Sequence, residues 1–334
     1  MALITASGLK KRFNLEAGFF AGYGRYVQAV NGLDFTINKN ESYGLVGESG
    51  CGKTTTARLL VRMYEPDEGK IIFQSQGGGT SESNPLEEVD VGALKKNELK
   101  KYREKVKYVF QDPARSLNPR MTVYDILTSG RRWSNDKTDE KQNRADAEAI
   151  LGEVGLTSAD LERRPSEFSG GQRQRISIAR ALLMKPQLLI CDEVVSALDV
   201  SIQGQILNLL QDIRTRRSLS FLFIAHDLKV ACYFCDRIAV MYAGEIMEEA
   251  DARVLWEKGV HPYTKLLFSS AVNSAIIGES EPNRDNTALK QTVTGENCVF
   301  AGRCPHAVQR CYSEKPMLEE IQQGHKIRCF AVTT

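Results

Sequence analysis

The stretch GLVGESGCGKTT, residues 44–55, joins two segments of opposite habit. Upstream, ESYGLVG reads as a buried strand ending at Gly47. Downstream, KTTTARLLVRMY spaces its apolar residues at helical intervals. Between them Gly47, Gly52, Lys53 and Thr54 fit the pattern G-x4-G-K-[ST], in the strand–loop–helix setting that gives the pattern its meaning. Glycine lets backbone N–H groups turn inward around an anion, and a helix start adds partial positive charge. The expectation is a phosphate cradle formed by Gly47, Glu48, Ser49, Gly50, Cys51, Gly52, Lys53, Thr54 and Thr55. Lys53 would reach the β- and γ-phosphates of a nucleotide, and the Thr54 hydroxyl would ligate Mg²⁺. The plain alternative is a glycine-rich turn before a helix.

Such a cradle needs a second metal ligand and a group that activates water. PQLLICDEVVSALD provides candidates for both. Leu188 to Cys191 form a continuous apolar run, as in a central parallel strand. Asp192 at its end is placed to hold Mg²⁺ through water, and Glu193 to polarise the attacking water. Without the first motif this would be only an acidic turn after a strand. Further upstream, FSGGQRQR starts a helix that Ser169 can cap. Gly170, Gly171 and Gln172 follow as a second anion cradle. Two cradles far apart in sequence fit an arrangement in which one chain's loop completes the other chain's site.

These residues together resemble an ATP-binding-cassette (ABC) ATPase. Walker A lies at Gly47–Thr54, a Q-loop glutamine at Gln111, the signature at Ser169–Gln172, and Walker B ends at Asp192. Glu193, the D-loop Ser196–Asp199 and a switch histidine, His226 in FIAHD, complete the order over about 180 residues. The resemblance implies a P-loop α/β fold: a RecA-like core, an antiparallel β-subdomain and a helical subdomain. It implies two cassettes packed head to tail. Walker A, Gln111 (also a Mg²⁺ contact), Asp192, Glu193 and His226 of one would then face Ser169 and Gly171 of the other. An aromatic near the first β-hairpin stacks on adenine in this family; Tyr26 and Tyr23 are candidates, and both also fit as surface tyrosines.

VFQDPARSLNPRMTV, CDEVVSALDVSIQGQILNLL and HPYT resemble the ATPase subunits of oligopeptide/dipeptide permeases, and SLNPRMTV is similar to the second of their two paired ATPases. That resemblance implies a heterodimer with a homologous ATPase, two transmembrane permease subunits and an extracytoplasmic substrate-binding protein. It implies a peripheral place on the cytoplasmic face of the inner membrane. Peptides are the implied cargo, with nickel, saccharide conjugates and opines as alternatives. One departure is Val194, where the family carries proline after the catalytic glutamate. Two other classes, a soluble ABC ATPase of DNA repair or translation and an ATP-gated scaffold that does not hydrolyse, fit less well. The first would carry coiled-coil insertions or fused cassettes, and Lys53, Glu193 and His226 are intact.

Composition agrees. The 334 residues are 42% hydrophobic and 26% charged, enough for a sizeable core. A net charge of +2 argues against a general nucleic-acid binder. No apolar run approaches the roughly 20 residues that span a bilayer, and MALITASGLKKRF does not read as a secretory signal. The expected division is an ATPase domain over 1–258, with a helical subdomain over about 112–180, and a small cysteine-rich domain over 259–334. QSQGGGTSESNPLEEVDVG reads as an exposed loop, and ALKKNELKKYREKV as a charged helix.

Four of the eight cysteines fall in the tail, as C-x5-C-x6-C-x17-C at Cys298, Cys304, Cys311 and Cys329. Zinc favours tight C-x2-4-C pairs, and the common ferredoxin spacings are missing as well. Spacing alone leaves iron–sulfur, zinc and unligated thiols open. Resemblance to peptide-permease tails implies a [4Fe-4S] cluster on these four. The polar segment before them suggests a tail with little core of its own. Cys232 and Cys235 are expected in core packing.

Overall fold

The computed structural model describes residues 1–14, 26–76, 86–132, 139–276 and 297–332. Two sheets stack against each other. The larger is built in the order β11-β12-β10-β9-β3-β8-β7-β6 and the smaller in the order β2-β1-β4-β5. The strands are β1 (Ala2–Asn14), β2 (Tyr26–Asn38), β3 (Ser42–Val46), β4 (Glu68–Gln76), β5 (Leu86–Asp90), β6 (Val106–Val109), β7 (Leu188–Asp192), β8 (Ser220–Ala225), β9 (Arg237–Tyr242), β10 (Glu245–Asp251), β11 (Glu319–Gln322) and β12 (His325–Ile327). β9, β3, β8, β7 and β6 run parallel, as the unbroken apolar runs require. The small sheet is antiparallel throughout.

Period-two alternation divides each central strand between two cores. Phe221, Phe223 and Ala225 of β8 join Leu189 and Cys191 of β7 on the face covered by helices. Leu222, Ile224, Leu188 and Ile190 point the other way, toward the small sheet and the helix Lys53–Leu60. Each such side chain, once fully buried, contributes roughly 2 kcal/mol. Helices Pro113–Ser116, Val123–Arg132, Glu140–Glu153 and Gly170–Leu182 occupy the stretch expected to be helical. Gly155, at φ +72°, ends the third of these as a left-handed stop.

One expectation changes. Gln74–Gln76 and Leu86–Asp90, read as exposed loop, are the paired ends of β4 and β5; residues 77–85 lie outside the described residues. The tail does not stand on its own core. Tyr263 and Phe300 belong to the cluster that covers the main sheet. β12 adds to β10 with Glu248 opposite Ile327, extending that sheet rather than starting another. The apolar partner of the tail lies far away in sequence. Among the described residues, no helix is long and apolar enough to cross a membrane.

Candidate nucleotide site

The loop Gly47–Gly52 hangs between β3 and the helix that follows, and its glycines are demanded by close approach. A Cβ at Gly47 would lie 2.1 Å from the Met241 carbonyl oxygen, and one at Gly52, with φ +108°, 2.1 Å from that of Ala29. The first helical N–H to meet a carbonyl of its own turn is that of Thr56, bonded to Gly52. The N–H groups of Lys53, Thr54 and Thr55 therefore have no intrahelical acceptor, the electrostatic condition for holding an anion. Lys53 is almost fully buried, and its Nζ donates to the carbonyls of Gly47 at 2.6 Å and Glu48 at 2.9 Å. Its cation is thus stored against the loop. Cys51 beside it is a buried thiol whose pKa burial pushes up, with Lys53 acting in the opposite sense.

At the end of β7, one helical segment and two strands meet. The Thr54 hydroxyl donates to Asp192 Oδ1 at 3.0 Å, and the Tyr108 hydroxyl donates to Asp192 Oδ2. Burial and the Asp192 charge hold the Tyr108 hydroxyl well above its usual pKa, so it remains a donor. Glu193 takes φ +49°, a left-handed conformation that few residues with a side chain adopt. Its N–H donates to the Ile224 carbonyl at 3.1 Å, and its Oε2 accepts from Gln111 Nε2 at 2.6 Å. Glu193 and His226 line one small cavity with Ser196, Gln203 and Asp227. Thr54, Asp192, Glu193, Gln111 and His226 thus gather at the carboxyl ends of the parallel strands, where ligands bind in open α/β sheets. Val194 is buried behind them, so the side chain in place of proline packs into the core.

Ser169 caps the helix Gly170–Leu182. Its hydroxyl accepts from the Gln172 N–H while Gln172 Oε1 accepts from the Ser169 N–H, a complete capping box on an exposed helix start. A Cβ on Gly171 would meet Ile202 at 2.7 Å, which explains glycine there. Tyr26 opens β2, is 55% exposed and lies under the Arg12 guanidinium. With Phe13, Met63 and Tyr64 it lines an open cleft of about 650 Å³ to which the loop Gly47–Thr55 contributes no residue. Tyr23 is outside the described residues.

In the tail, Cys298 feels the charges of Cys311, Cys329 and Cys304, and burial first, then these neighbours, push its thiol up to about 11. The Cys298 N–H donates to the Cys311 carbonyl at 3.0 Å. Among the described residues, no three His, Cys, Asp or Glu side chains are set around a single metal ion. Cys232 and Cys235 pack as expected; Cys235 faces Gly44 across the core.

Sequence reasoning missed Tyr108, Tyr263 and Arg303. Tyr263 and Arg303 both reach Glu48. Tyr108 had one legible signal: it stands three residues before Gln111 on a strand paired with β7. The other two are brought in by tertiary structure alone.

The fold and this gathering of loop, lysine, threonine and two carboxylates define a P-loop nucleotide-binding domain. Residues 30–196 match the family described as ABC transporter, and residues 247–311 match the oligopeptide/dipeptide transporter C-terminal region. The chain is 40% identical to the putative oligopeptide transport ATP-binding protein YkfD of Bacillus subtilis, over 98% of this chain and 95% of that one. It is equally similar to the oligopeptide transport ATP-binding protein AppF of the same organism, over 96% and 94%. Among solved structures, the dimeric cassette MJ0796 bound to ADP and Pi superposes with a TM-score of 0.63 at 24% identity, covering 75% of this chain and 99% of that chain. The chain belongs to the ABC transporter ATP-binding family.

Proposed function

We propose that the chain is the ATP-hydrolysing subunit that energises import of peptides, or of related solutes, through an ABC transporter. The observation that carries the proposal is the convergence of Lys53, Thr54, Asp192, Glu193, Gln111 and His226 at one end of the sheet. The backbone N–H groups of Ser49 to Thr55 would wrap the phosphates, and Lys53 would swing from the loop carbonyls to the γ-phosphate. Thr54 and Asp192 already face each other through oxygen atoms, the donors that Mg²⁺ prefers, and Gln111 is close behind. Bound there, the ion would neutralise charge on the β- and γ-oxygens. Glu193 orients and deprotonates the attacking water, His226 contacts the γ-phosphate, and Tyr26 offers a ring for adenine.

Ser169, Gly170, Gly171 and Gln172, which form an exposed helix start, would serve a partner cassette, a homologous second ATPase, as the family resemblance implies. Two transmembrane permeases and an extracytoplasmic binding protein complete the importer, with this chain peripheral on the cytoplasmic face. The curated relatives named for oligopeptide transport support the cargo class. We divide the chain near residue 258 into the cassette and a tail whose four cysteines carry a [4Fe-4S] cluster. The reading rests on the resemblance of the C-x5-C-x6-C-x17-C tail to those of peptide permeases, and the four thiols feel one another's charge. The cluster would cross-link tail segments and can exchange an electron.

The test is ATP hydrolysis by the reconstituted transporter, stimulated by peptide-loaded binding protein. Lys53→Ala should abolish it; near-normal turnover would show that this loop is not the working site. Anaerobically purified protein should contain iron and sulfide and absorb near ~400 nm, with Cys304→Ser losing both. Stoichiometric zinc without iron would replace the cluster assignment.

A further inference from the structure

Glu48, the second residue of the phosphate loop, is held from a direction that the cassette motifs do not include. The Arg303 guanidinium grips its carboxylate as a fork, Nη1 to Oε2 at 2.8 Å and Nη2 to Oε1 at 2.9 Å. The Tyr263 hydroxyl accepts from its backbone N–H at 3.0 Å. Both partners come from the tail, 255 and 215 residues away. Both are themselves fixed. Tyr263 is fully buried, with its ring 4.7 Å from that of Tyr242 and 5.3 Å from that of Phe300. Arg303 lies over the Tyr242 ring at 5.5 Å, in a short turn between Cys298 and Cys304.

Within the loop the Glu48 carbonyl accepts from Lys53 Nζ at 2.9 Å and from the Cys51 N–H at 3.3 Å. A γ-phosphate must draw Lys53 away, and the loop then has to keep its shape without that cation. We propose that Arg303 and Tyr263 are positioning residues for ATP: they clamp Glu48 so that the loop stays preformed while Lys53 transfers to the phosphate. This rests on the reading of Gly47–Thr55 as the nucleotide site. The physical gain is preorganisation, since a loop already in its bound shape loses less entropy on binding. Fork geometry matters, because lysine offers a point charge where arginine offers two parallel donors. The tail thereby sets ATP affinity, and the turn leading into Cys304 becomes a mechanical part of the nucleotide site.

The experiment uses the full chain assembled in its transporter and measures ATP binding by titration alongside steady-state hydrolysis. Arg303→Ala should weaken ATP binding about tenfold and raise KM to match, while kcat stays within about threefold, the pattern of a lost uniform binding term. Arg303→Lys should recover part of the affinity. Glu48→Gln should cost as much as Arg303→Ala, and the double variant no more than either, because the two report one contact. Should Arg303→Ala fold poorly, Tyr263→Phe and Arg303→Lys carry the same KM test. Unchanged ATP affinity in Arg303→Lys, Glu48→Gln and Tyr263→Phe, with Lys53→Ala still abolishing binding, would overturn the clamp and leave the site intact. Unchanged affinity in Lys53→Ala as well would overturn the site itself.

Discussion

Two sets of carboxylates in one sheet are partnered in opposite ways. Asp192 and Glu193, at the end of β7, accept from neutral groups: the hydroxyls of Thr54 and Tyr108 and the amide of Gln111. Glu245, Glu248 and Glu249, on β10, are at least as buried and, besides neutral donors, meet basic side chains. Lys315 Nζ reaches Glu245 at 2.6 Å, His325 Nε2 reaches Glu248 at 2.8 Å, and Lys326 and Arg237 approach Glu249. Neutral donors orient a carboxylate and leave its charge uncompensated, ready for a metal ion or a water proton. Cationic partners cancel the charge and turn the same chemical group into a fastener. The tail brings Lys315, Lys326 and His325 to these carboxylates alongside the backbone pairing of β12 with β10, which is how a polar segment docks on the cassette.

The largest effect should come from the first set. Glu193→Gln keeps the hydrogen-bonding shape and removes the proposed base, so kcat should fall about 10³-fold while Mg-ATP still binds. Turnover within a few-fold of the parent would erase the distinction between the sets. The second set should respond in stability instead. Glu248→Ala leaves His325 and the N–H groups of Val260 and His261 without their acceptor. Urea unfolding should show a loss of about 3 kcal/mol, because buried donors are left without an acceptor. A variant that loses ATPase activity and keeps its midpoint would reverse the assignment.

Acid sharpens the contrast. Burial lowers the His261 pKa to about 4, with Glu248 acting weakly against it, and its Nδ1 accepts from the Tyr263 N–H, as a neutral ring must. Below pH 6.5 the unfolded chain takes up a proton that the folded chain refuses. Stability therefore falls as pH drops from about 6.5 toward 4, and the move from pH 7 to 5 should cost about 2 kcal/mol. In His261→Gln that slope should vanish; an unchanged slope would place the acid sensitivity elsewhere. The smallest effect is expected from Tyr43→Phe, which removes the 2.8 Å bond to Glu249 yet leaves both cations there. A loss of about 1 kcal/mol by thermal unfolding is the expectation; a loss above that of Glu248→Ala would mean that the cations contribute little.

How far the sequence revealed this depends on the range of the contact. Walker A was legible because strand, loop and helix are consecutive, and Asp192 and Glu193 because an apolar strand announces its own end. Their meeting with Gln111 and His226 followed from the family order. Tyr263 and Arg303 carry no local sign of their contact with Glu48; they matter through a partner 215 and 255 residues away. The small sheet's β5 was hidden by acidic side chains, which an edge strand tolerates and a loop equally prefers. The tail's core was hidden because Phe300 alone, among polar neighbours, looks like too little to bury.

Glu193 sits where glycine would fold more comfortably. A side-chain-bearing residue at φ +49° carries strain on the order of 1–2 kcal/mol. Selection for heat resistance alone would therefore drift toward glycine at this position, and the survivors would be sturdier proteins that hold nucleotide and never release its energy. A directed-evolution experiment on this chain that scores only thermal survival would be expected to discard the motor and keep the scaffold.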